Sequence, residues 1–365
     1  MPLRVLQIVT TMNRGGLETM LMNYYRHIDR KKVQFDFLVH RQEEGDYEKE
    51  IMSLGGRVFR VPALNPFSPT YFKALDSFFT EHKYDIVHCH LDCMSAIPLY
   101  SAKKHGVKHR FAHAHNKSQD KDLKYPLKLF YKRFIPYFAN ELFACGEEAG
   151  RWIFNGKKFT VINNAIDASH YSFSEDLREI KRRELGLNNY FTVCHIGRFN
   201  PQKNHSFIID IFYELLKIEP NAHLLLVGTG DGLTVAKNKV ADLKLDSKVS
   251  FLGVRADIQE LLNAADVFLF PSFYEGVSLA TIEAQASGLP CYFSDRIPDE
   301  CKVTDDVEFI SLEKSPAYWA EKIYNGRRHI RSNNYEQIKN AGYDISSNAF
   351  WLQNLYLSKG VSGDE

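Results

Sequence analysis

The sequence predicts an α/β chain of two doubly wound domains in tandem, on three observations. The chain has 365 residues, and a single core rarely grows past roughly 250–300 residues. Short apolar runs alternate with helix-like stretches, the pattern of βαβ units and a parallel sheet. That alternation occurs twice, with the polar stretch 167–184 between the two series.

Residues 5–9 are the first apolar run, followed by a polar, glycine-containing loop over 10–16 and helix-like sequence over 17–28. Strand candidates follow at 33–39, 57–61, 85–88, 110–114, 142–145 and 160–162. The second series holds five strand candidates, 191–196, 222–227, 249–252, 267–271 and 291–294, with helical stretches such as 206–218 and 281–287 between them. The boundary is expected inside the polar stretch, giving domains over 1–168 and 169–344. A last helix-like segment, 347–357, carries Phe350, Trp351, Leu355 and Tyr356 and needs an apolar surface to cover. Ligands of doubly wound sheets sit beyond the carboxyl ends of the strands. Chemistry is therefore expected in the loops after the strands, with the two domains facing each other across a cleft.

Composition narrows the class. With 44% hydrophobic and 25% charged residues, the chain is neither disordered nor collagen-like nor a coiled coil. A net charge of +1 provides no global attraction to nucleic acid. Cys89, Cys93, Cys145, Cys194, Cys291 and Cys301 sit mostly in apolar runs, as reduced, buried thiols of a cytoplasmic protein do. The N-terminal apolar run is too short for a secretion signal, and no run of about 18 apolar residues predicts a membrane span.

Residues 271–290 read PSFYEGVSLATIEAQASGLP. A strand ends near Phe270, a loop holds Glu275 and Gly276, and a helix begins near Ser278 with Glu283 inside it. The backbone N–H groups of Gly276, Val277 and Ser278 would lie at a helix N-terminus, which favours anions. The glycine lets the chain come close to a ligand. A carboxylate on either side could bind hydroxyls.

This segment resembles the E-x7-E signature of the retaining, group 1 glycosyltransferases of GT-B fold. The resemblance implies two Rossmann-like domains, a nucleotide-sugar donor with UDP the expected nucleotide, and transfer to a hydroxyl acceptor with retention. It implies that Glu275 lies beside the donor sugar and that Glu283 binds the nucleotide ribose. It also implies that the last helix, 345–365, crosses back onto the first domain.

Further motifs extend the resemblance over nearly the whole chain. Residues 194–205 read CHIGRFNPQKNH. Two cations after a strand can neutralise a diphosphate leaving group. The family's G-R-x4-K pattern implies that role for Arg198 and Lys203, beside Gly197. In 251–257, FLGVRAD, the family holds the base through backbone near Val254 and Arg255. The loop of Gly15 and Gly16 before the first helix implies contact with donor phosphates and acceptor. Glu18 in the helix's first turn is there explained by the helix dipole alone.

The histidines are less direct. In His88-Cys89-His90-Leu91-Asp92-Cys93 the two histidines share one side of an extended segment and Cys89 the other. This spacing matches no tetrahedral zinc pattern, so no metal is expected. A family His–Asp pair falls near His113-Ala114-His115-Asn116. The register favours His115 over His113 as the histidine near the reacting sugar, and Asn116 stands where Asp is usual. The glycines of Val227-Gly228-Thr229-Gly230-Asp231-Gly232 read G-x-G-x-G, a loop rather than a dinucleotide fingerprint. Asp120-Lys121-Asp122 reads as solvated charge.

The expected site is thus Glu275, His115, Arg198 and Lys203 for catalysis, working without cofactor or metal. The expected acceptor is a saccharide, commonly lipid-linked, in cell-surface polysaccharide synthesis. The basic, aromatic stretch 121–138 could pack on its own sheet or rest on an anionic membrane surface. A nucleotide-sugar 2-epimerase and a non-catalytic nucleotide-sugar-binding protein are the rival readings.

Overall fold

The computed structural model describes residues 1–116 and 123–360. The chain forms two compact units, Met1–Ala165 joined by the segment from Ile345, and Ile166–Asp344. It changes unit between Ala165 and Ile166, not between 168 and 169. Ile166 belongs to the second unit because it bridges Asp344 in parallel, its N–H donating to the Tyr343 carbonyl at 2.9 Å.

The first unit is built on a seven-stranded parallel sheet. Its strands are β1 (Leu3–Val9), β2 (Val33–Val39), β3 (Val58–Arg60), β4 (Ile86–Cys89), β5 (His109–Ala114), β6 (Glu141–Ala144) and β7 (Thr160–Val161), in the order β3-β2-β1-β4-β5-β6-β7. All of β2 and most of β1 are buried, including Gln7, Gln34 and Asp36, whose polar atoms are hydrogen-bonded to neighbouring elements. Leu6, Ile8, Val87 and Ala112 pack with Tyr71, Leu75 and Leu99 on one side. On the other side Phe35 and Phe111 meet Tyr356 of the helix Ile345–Gly360. That helix also packs on the helix Gly16–His27.

The second unit repeats the plan with six parallel strands: β8 (Phe191–Ile196), β9 (Ala222–Val227), β10 (Val249–Gly253), β11 (Val267–Phe270), β12 (Cys291–Ser294) and β13 (Val307–Ile310), in the order β10-β9-β8-β11-β12-β13. Five strands match the expected positions. β13 was not expected: it is a four-residue edge strand with Glu308 in its middle and acidic residues before it. The polar stretch after Ile166 holds the helix Glu175–Glu184. The Ser174 hydroxyl caps it, with acids in its first turn and bases in its last, an arrangement the helix dipole favours.

All six cysteines are buried and unbridged. No helix among the described residues is long and apolar enough to cross a membrane. The Asp120-Lys121-Asp122 motif lies outside the described residues. Of the basic, aromatic stretch, Ile135 is fully buried, and Tyr131, Phe134 and Phe138 pack on the core. Phe130 and Tyr137 stay exposed. The stretch is two short helices, Tyr125–Lys132 and Ile135–Phe138, each with a proline at its start.

Candidate active site

In the second sheet the strand order reverses between β8 and β11, the position where doubly wound sheets bind ligands. The two strongest sequence motifs are the loops that follow these two strands. After β8 come Gly197 and Arg198, a tight turn over Pro201–Lys203, and the helix His205–Ile218. Asn200 caps the turn by accepting the Lys203 N–H, and Asn204 takes a left-handed φ of 56° to start the helix.

The loops are fastened to each other. The Phe273 N–H donates to the Gln202 carbonyl at 2.9 Å, the Gln202 side chain donates to the Tyr274 carbonyl at 2.9 Å, and Asn204 donates to the Pro271 carbonyl at 3.2 Å. Across this junction Lys203 Nζ lies 2.7 Å from Glu275 Oε1. Their side chains are only 13% and 6% exposed. The ammonium also lies 4.4 Å from the Phe270 ring centroid, a favourable cation–π placement. The predicted phosphate-binding cation and the predicted sugar-binding carboxylate are therefore in contact. Arg198, in the same loop as Lys203, is exposed, and no carboxylate among the described residues is seen to pair with it.

The glycines of 228–232 explain how Arg198 is held. Gly228 and Gly230 have φ of 134° and 151°. A Cβ on Gly228 would lie 2.1 Å from the Gly197 carbonyl oxygen, and one on Gly230 would lie 2.5 Å from the Phe199 oxygen. The Phe199 N–H donates to the Thr229 carbonyl, and the Gly232 N–H donates to the Phe199 carbonyl, each at 2.9 Å. Only residues without a side chain permit this backbone-on-backbone clamp. Gly197 is similarly constrained, since a Cβ there would lie 2.9 Å from His195 Nε2 and 3.1 Å from Lys203 Cδ.

Glu283 is buried on the helix Leu279–Ala286, where its Oε1 accepts from the Tyr171 hydroxyl at 2.9 Å. Burial raises its carboxyl to about 7, and the Tyr171 bond acts in the opposite direction. The Cys301 thiol lies beneath the loop, donating to the Gly276 carbonyl at 3.5 Å and engaging the Ser278 backbone. Val277 is buried, and Gly276 and Ser278 are half-buried.

Val254 is exposed, whereas Arg255 is tied to Asp257 at 2.8 and 2.6 Å. Asp257 is also held by Lys181 at 2.8 Å. The Arg255 side chain is thus committed within the unit.

In the first unit, Gly15 precedes the helix Gly16–His27. A Cβ on Gly16 would meet nothing within 4 Å, so packing does not explain that glycine. His113 lies inside β5 and is buried, whereas His115 lies just beyond the strand and is half-buried. The His115 ring is 2.9 Å from His90 Nδ1, and its backbone N–H donates to Asp92 at 2.8 Å. Burial lowers His115 to about 3, so the ring is neutral at physiological pH. Asn116, where the resembled family carries Asp, donates to Asp92 at 2.6 Å. The nearby carboxylate thus braces the segment from another loop.

Two switch-point sheets, with a basic and a carboxylate loop joined at the second, define a group 1 glycosyltransferase of GT-B fold, and the chain belongs to that family. Residues 177–325 match the family described as "Glycosyl transferases group 1", and residues 14–170 match "Glycosyltransferase Family 4". The chain is 34% identical to EpsF of Bacillus subtilis (strain 168), named as a glycosyltransferase, over 97% of this chain and 96% of that protein. It is 29% identical to the Escherichia coli UDP-Gal:alpha-D-GlcNAc-diphosphoundecaprenol alpha-1,3-galactosyltransferase, over 77% of this chain and 76% of that enzyme. Among solved structures, Anabaena HepE in complex with UDP superposes with a TM-score of 0.77 at 18% identity, over 98% of this chain and 100% of HepE.

Sequence reasoning missed Tyr171, Cys301 and the clamping role of Gly228 and Gly230. The G-x-G-x-G spacing was the signal for the clamp. Tyr171 and Cys301 carried none, because each reaches the site from a distant part of the chain.

Proposed function

We propose that the protein is a retaining glycosyltransferase that moves a hexosyl unit from a UDP-sugar to a hydroxyl of a lipid-linked saccharide, in cell-surface polysaccharide synthesis. The observation that carries this reading is the Lys203–Glu275 contact at 2.7 Å, with exposed Arg198 in the same loop as Lys203. It puts cations for a diphosphate and a carboxylate for sugar hydroxyls on one side of one sheet. The E. coli relative supports the donor and acceptor classes, because its name specifies UDP-Gal, a diphosphoundecaprenol-linked acceptor and an alpha product.

The acceptor hydroxyl attacks C1 from the face that the diphosphate leaves. The new C1–O bond forms as the C1–O bond to phosphate breaks, and the hydroxyl proton passes to the departing phosphate oxygen. Arg198 and Lys203 stabilise the charge that develops on the diphosphate. Glu275 orients the sugar and shares Lys203 with the phosphate. Glu283 accepts from the ribose hydroxyls, and Gly197 and the backbone of Val254 and Arg255 line the nucleotide. Gly15 and Gly16 let phosphate or acceptor approach, and neutral His115 hydrogen-bonds near the reacting sugar. With two cations present, the reaction requires no divalent metal. Exposed Phe130 and Tyr137, among the lysines of 121–138, would bring the enzyme to the membrane surface from the cytoplasm.

Melting curves with UDP, GDP and ADP in EDTA, for wild type and Glu283→Ala, test the donor site. A ligand at a hundredfold excess over Kd adds about 2.7 kcal/mol to stability. A UDP shift that survives EDTA and shrinks in the variant is expected. No shift with any nucleotide overturns the reading. Turnover of a UDP-sugar without acceptor would favour the epimerase rival instead.

A further inference from the structure

Beneath the mouth of β5 the first unit holds a group of imidazoles that the proposed reaction does not use. His88 lies in β4 opposite Phe111 of β5. Two residues on, His90 turns to the same face of the sheet, beside His113 of β5. Ring centroids are 4.3 Å apart for His88 and His90, and 5.2 Å apart from each of these to His113. All three side chains are almost completely buried. One ring nitrogen from each lies within 4.8 Å of the other two.

We propose that His88, His90 and His113 bind one transition-metal ion of the zinc, cobalt, nickel or copper class. Unpartnered ring nitrogens point to a ligand. His88 Nε2 and both ring nitrogens of His113 have no hydrogen-bond partner among the described residues, and buried polar atoms are rarely left so. A cation accepting a lone pair from each ring satisfies one nitrogen of each. Imidazole donors suit zinc, copper, nickel and cobalt, whereas magnesium and calcium take oxygen.

The outer contacts are already those of a metal site. The His88 Nδ1 meets the Tyr356 hydroxyl at 2.7 Å, and His90 Nε2 meets Gln7 Oε1 at 2.9 Å. His90 Nε2 donates to the Gln7 amide oxygen, so its Nδ1 keeps the lone pair, now 2.9 Å from His115 Nε2 in a contact that a cation would replace; a proton on His88 Nδ1 leaves Nε2 as a donor, the arrangement by which second partners set a ligand's tautomer. Zinc–nitrogen bonds of about 2.0–2.1 Å require the rings to turn inward by about an ångström. Three histidines leave the fourth position to water, and half-buried His115, whose Nε2 is 2.9 Å from His90 Nδ1, marks the way in. The i,i+2 pair on one strand is visible in the sequence, but the third ligand comes from the neighbouring strand.

The test uses the full chain, stripped with chelator and titrated with Co2+. One equivalent should bind with the intense visible absorption of a four-coordinate ion, be displaced by one equivalent of Zn2+, and be unaffected by Mg2+. His88→Asn and His113→Asn should each weaken binding by at least about 100-fold, and Tyr356→Phe by about 10–100-fold. His170→Asn, at an exposed position, should leave it unchanged. Circular dichroism checks that the variants fold. If they do not, the wild type decides, because weak octahedral Co2+ absorption or no stoichiometric binding overturns the site. Binding as tight in folded His88→Asn and His113→Asn as in wild type overturns it equally.

Discussion

Replacing Glu283 with Gln should make the protein more stable at alkaline pH and leave it unchanged at acid pH. Burial holds the Glu283 carboxyl at about 7, against 4.5 for the free group. At about 1.4 kcal/mol per pH unit, the ionised folded form is disfavoured by about 3 kcal/mol. The direction follows from proton uptake. As pH falls, the folded state takes up the proton near 7, and the unfolded chain only near 4.5. Between these values the folded state holds more protons, so stability rises as pH falls. Above 7 both states are ionised and the whole penalty remains. Below 4.5 both are protonated and it vanishes.

Glutamine copies the uncharged form and keeps an oxygen for the Tyr171 hydroxyl, now 2.9 Å from Oε1. Urea unfolding of wild type and Glu283→Gln from pH 4.5 to 8.5 reads the difference. The variant should gain about 3 kcal/mol at pH 8.5 and nothing at pH 4.5. It should also bind UDP more weakly, because the ribose loses an ionised acceptor. A pH-independent difference, or a variant less stable at pH 8.5, would refute the argument that burial of this carboxylate is a stability cost kept for binding.

Three other perturbations separate holding from reacting. Lys203→Ala leaves Glu275 buried without its cation and should destabilise by about 3–5 kcal/mol. Adding Glu275→Gln should restore most of that in denaturant titrations, and no recovery would sink the pairing argument. Gly228→Ala should destabilise by at least about 1–3 kcal/mol from its positive φ alone and lower kcat, whereas Gly16→Ala should leave the melting temperature unchanged and weaken donor or acceptor binding. Equal effects at the two glycines would contradict the clamp. Arg198→Ala should cut kcat by about 10²–10³ with an unchanged melting temperature, and a drop in melting temperature would show that Arg198 is structural.

How much of this was legible in the sequence depended on distance along the chain. β2, β8, β9 and β12 coincide with their expected runs because a strand buried on both faces stays mostly apolar, with Gln34, Asp36, Thr192 and His195 as buried exceptions. β13 was illegible because an edge strand is only partly covered: Val307 and Ile310 are buried, but Glu308 is exposed. Gly197, Arg198, Lys203, Glu275 and Glu283 were recognisable because each motif is a single post-strand loop. Their contacts were not. Lys203 and Glu275 are 72 positions apart, and only the parallel pairing of β8 with β11 brings their loops together. Tyr171 is 112 positions from Glu283 and belongs to no motif. The same limit applies at the histidines, where the sequence displays one strand's pair and the sheet supplies the other.

The two units show how one plan serves two chemistries. The two sheets share one order over their first six strands, and both reverse it beside their first strand. At the second unit's reversal the loops carry Arg198, Lys203 and two carboxylates, an array suited to a charged diphosphate and to sugar and ribose hydroxyls. At the first unit's reversal stand Gln7, His88 and His90, with His113 and His115 one strand further on. Burial keeps those histidines uncharged at physiological pH. Of these only half-buried His115 reaches the surface, where a neutral ring does not compete for an anionic donor yet can hydrogen-bond a neutral hydroxyl. The proposed assignment of donor to the second unit and acceptor to the first therefore rests on which switch point exposes charged side chains. Moving a cation into the first should recruit the nucleotide to the wrong unit. Asn116→Lys, at an exposed position next to His115, tests this: weakened acceptor use with new, salt-sensitive nucleotide binding would support the division, and unchanged acceptor kinetics would refute it.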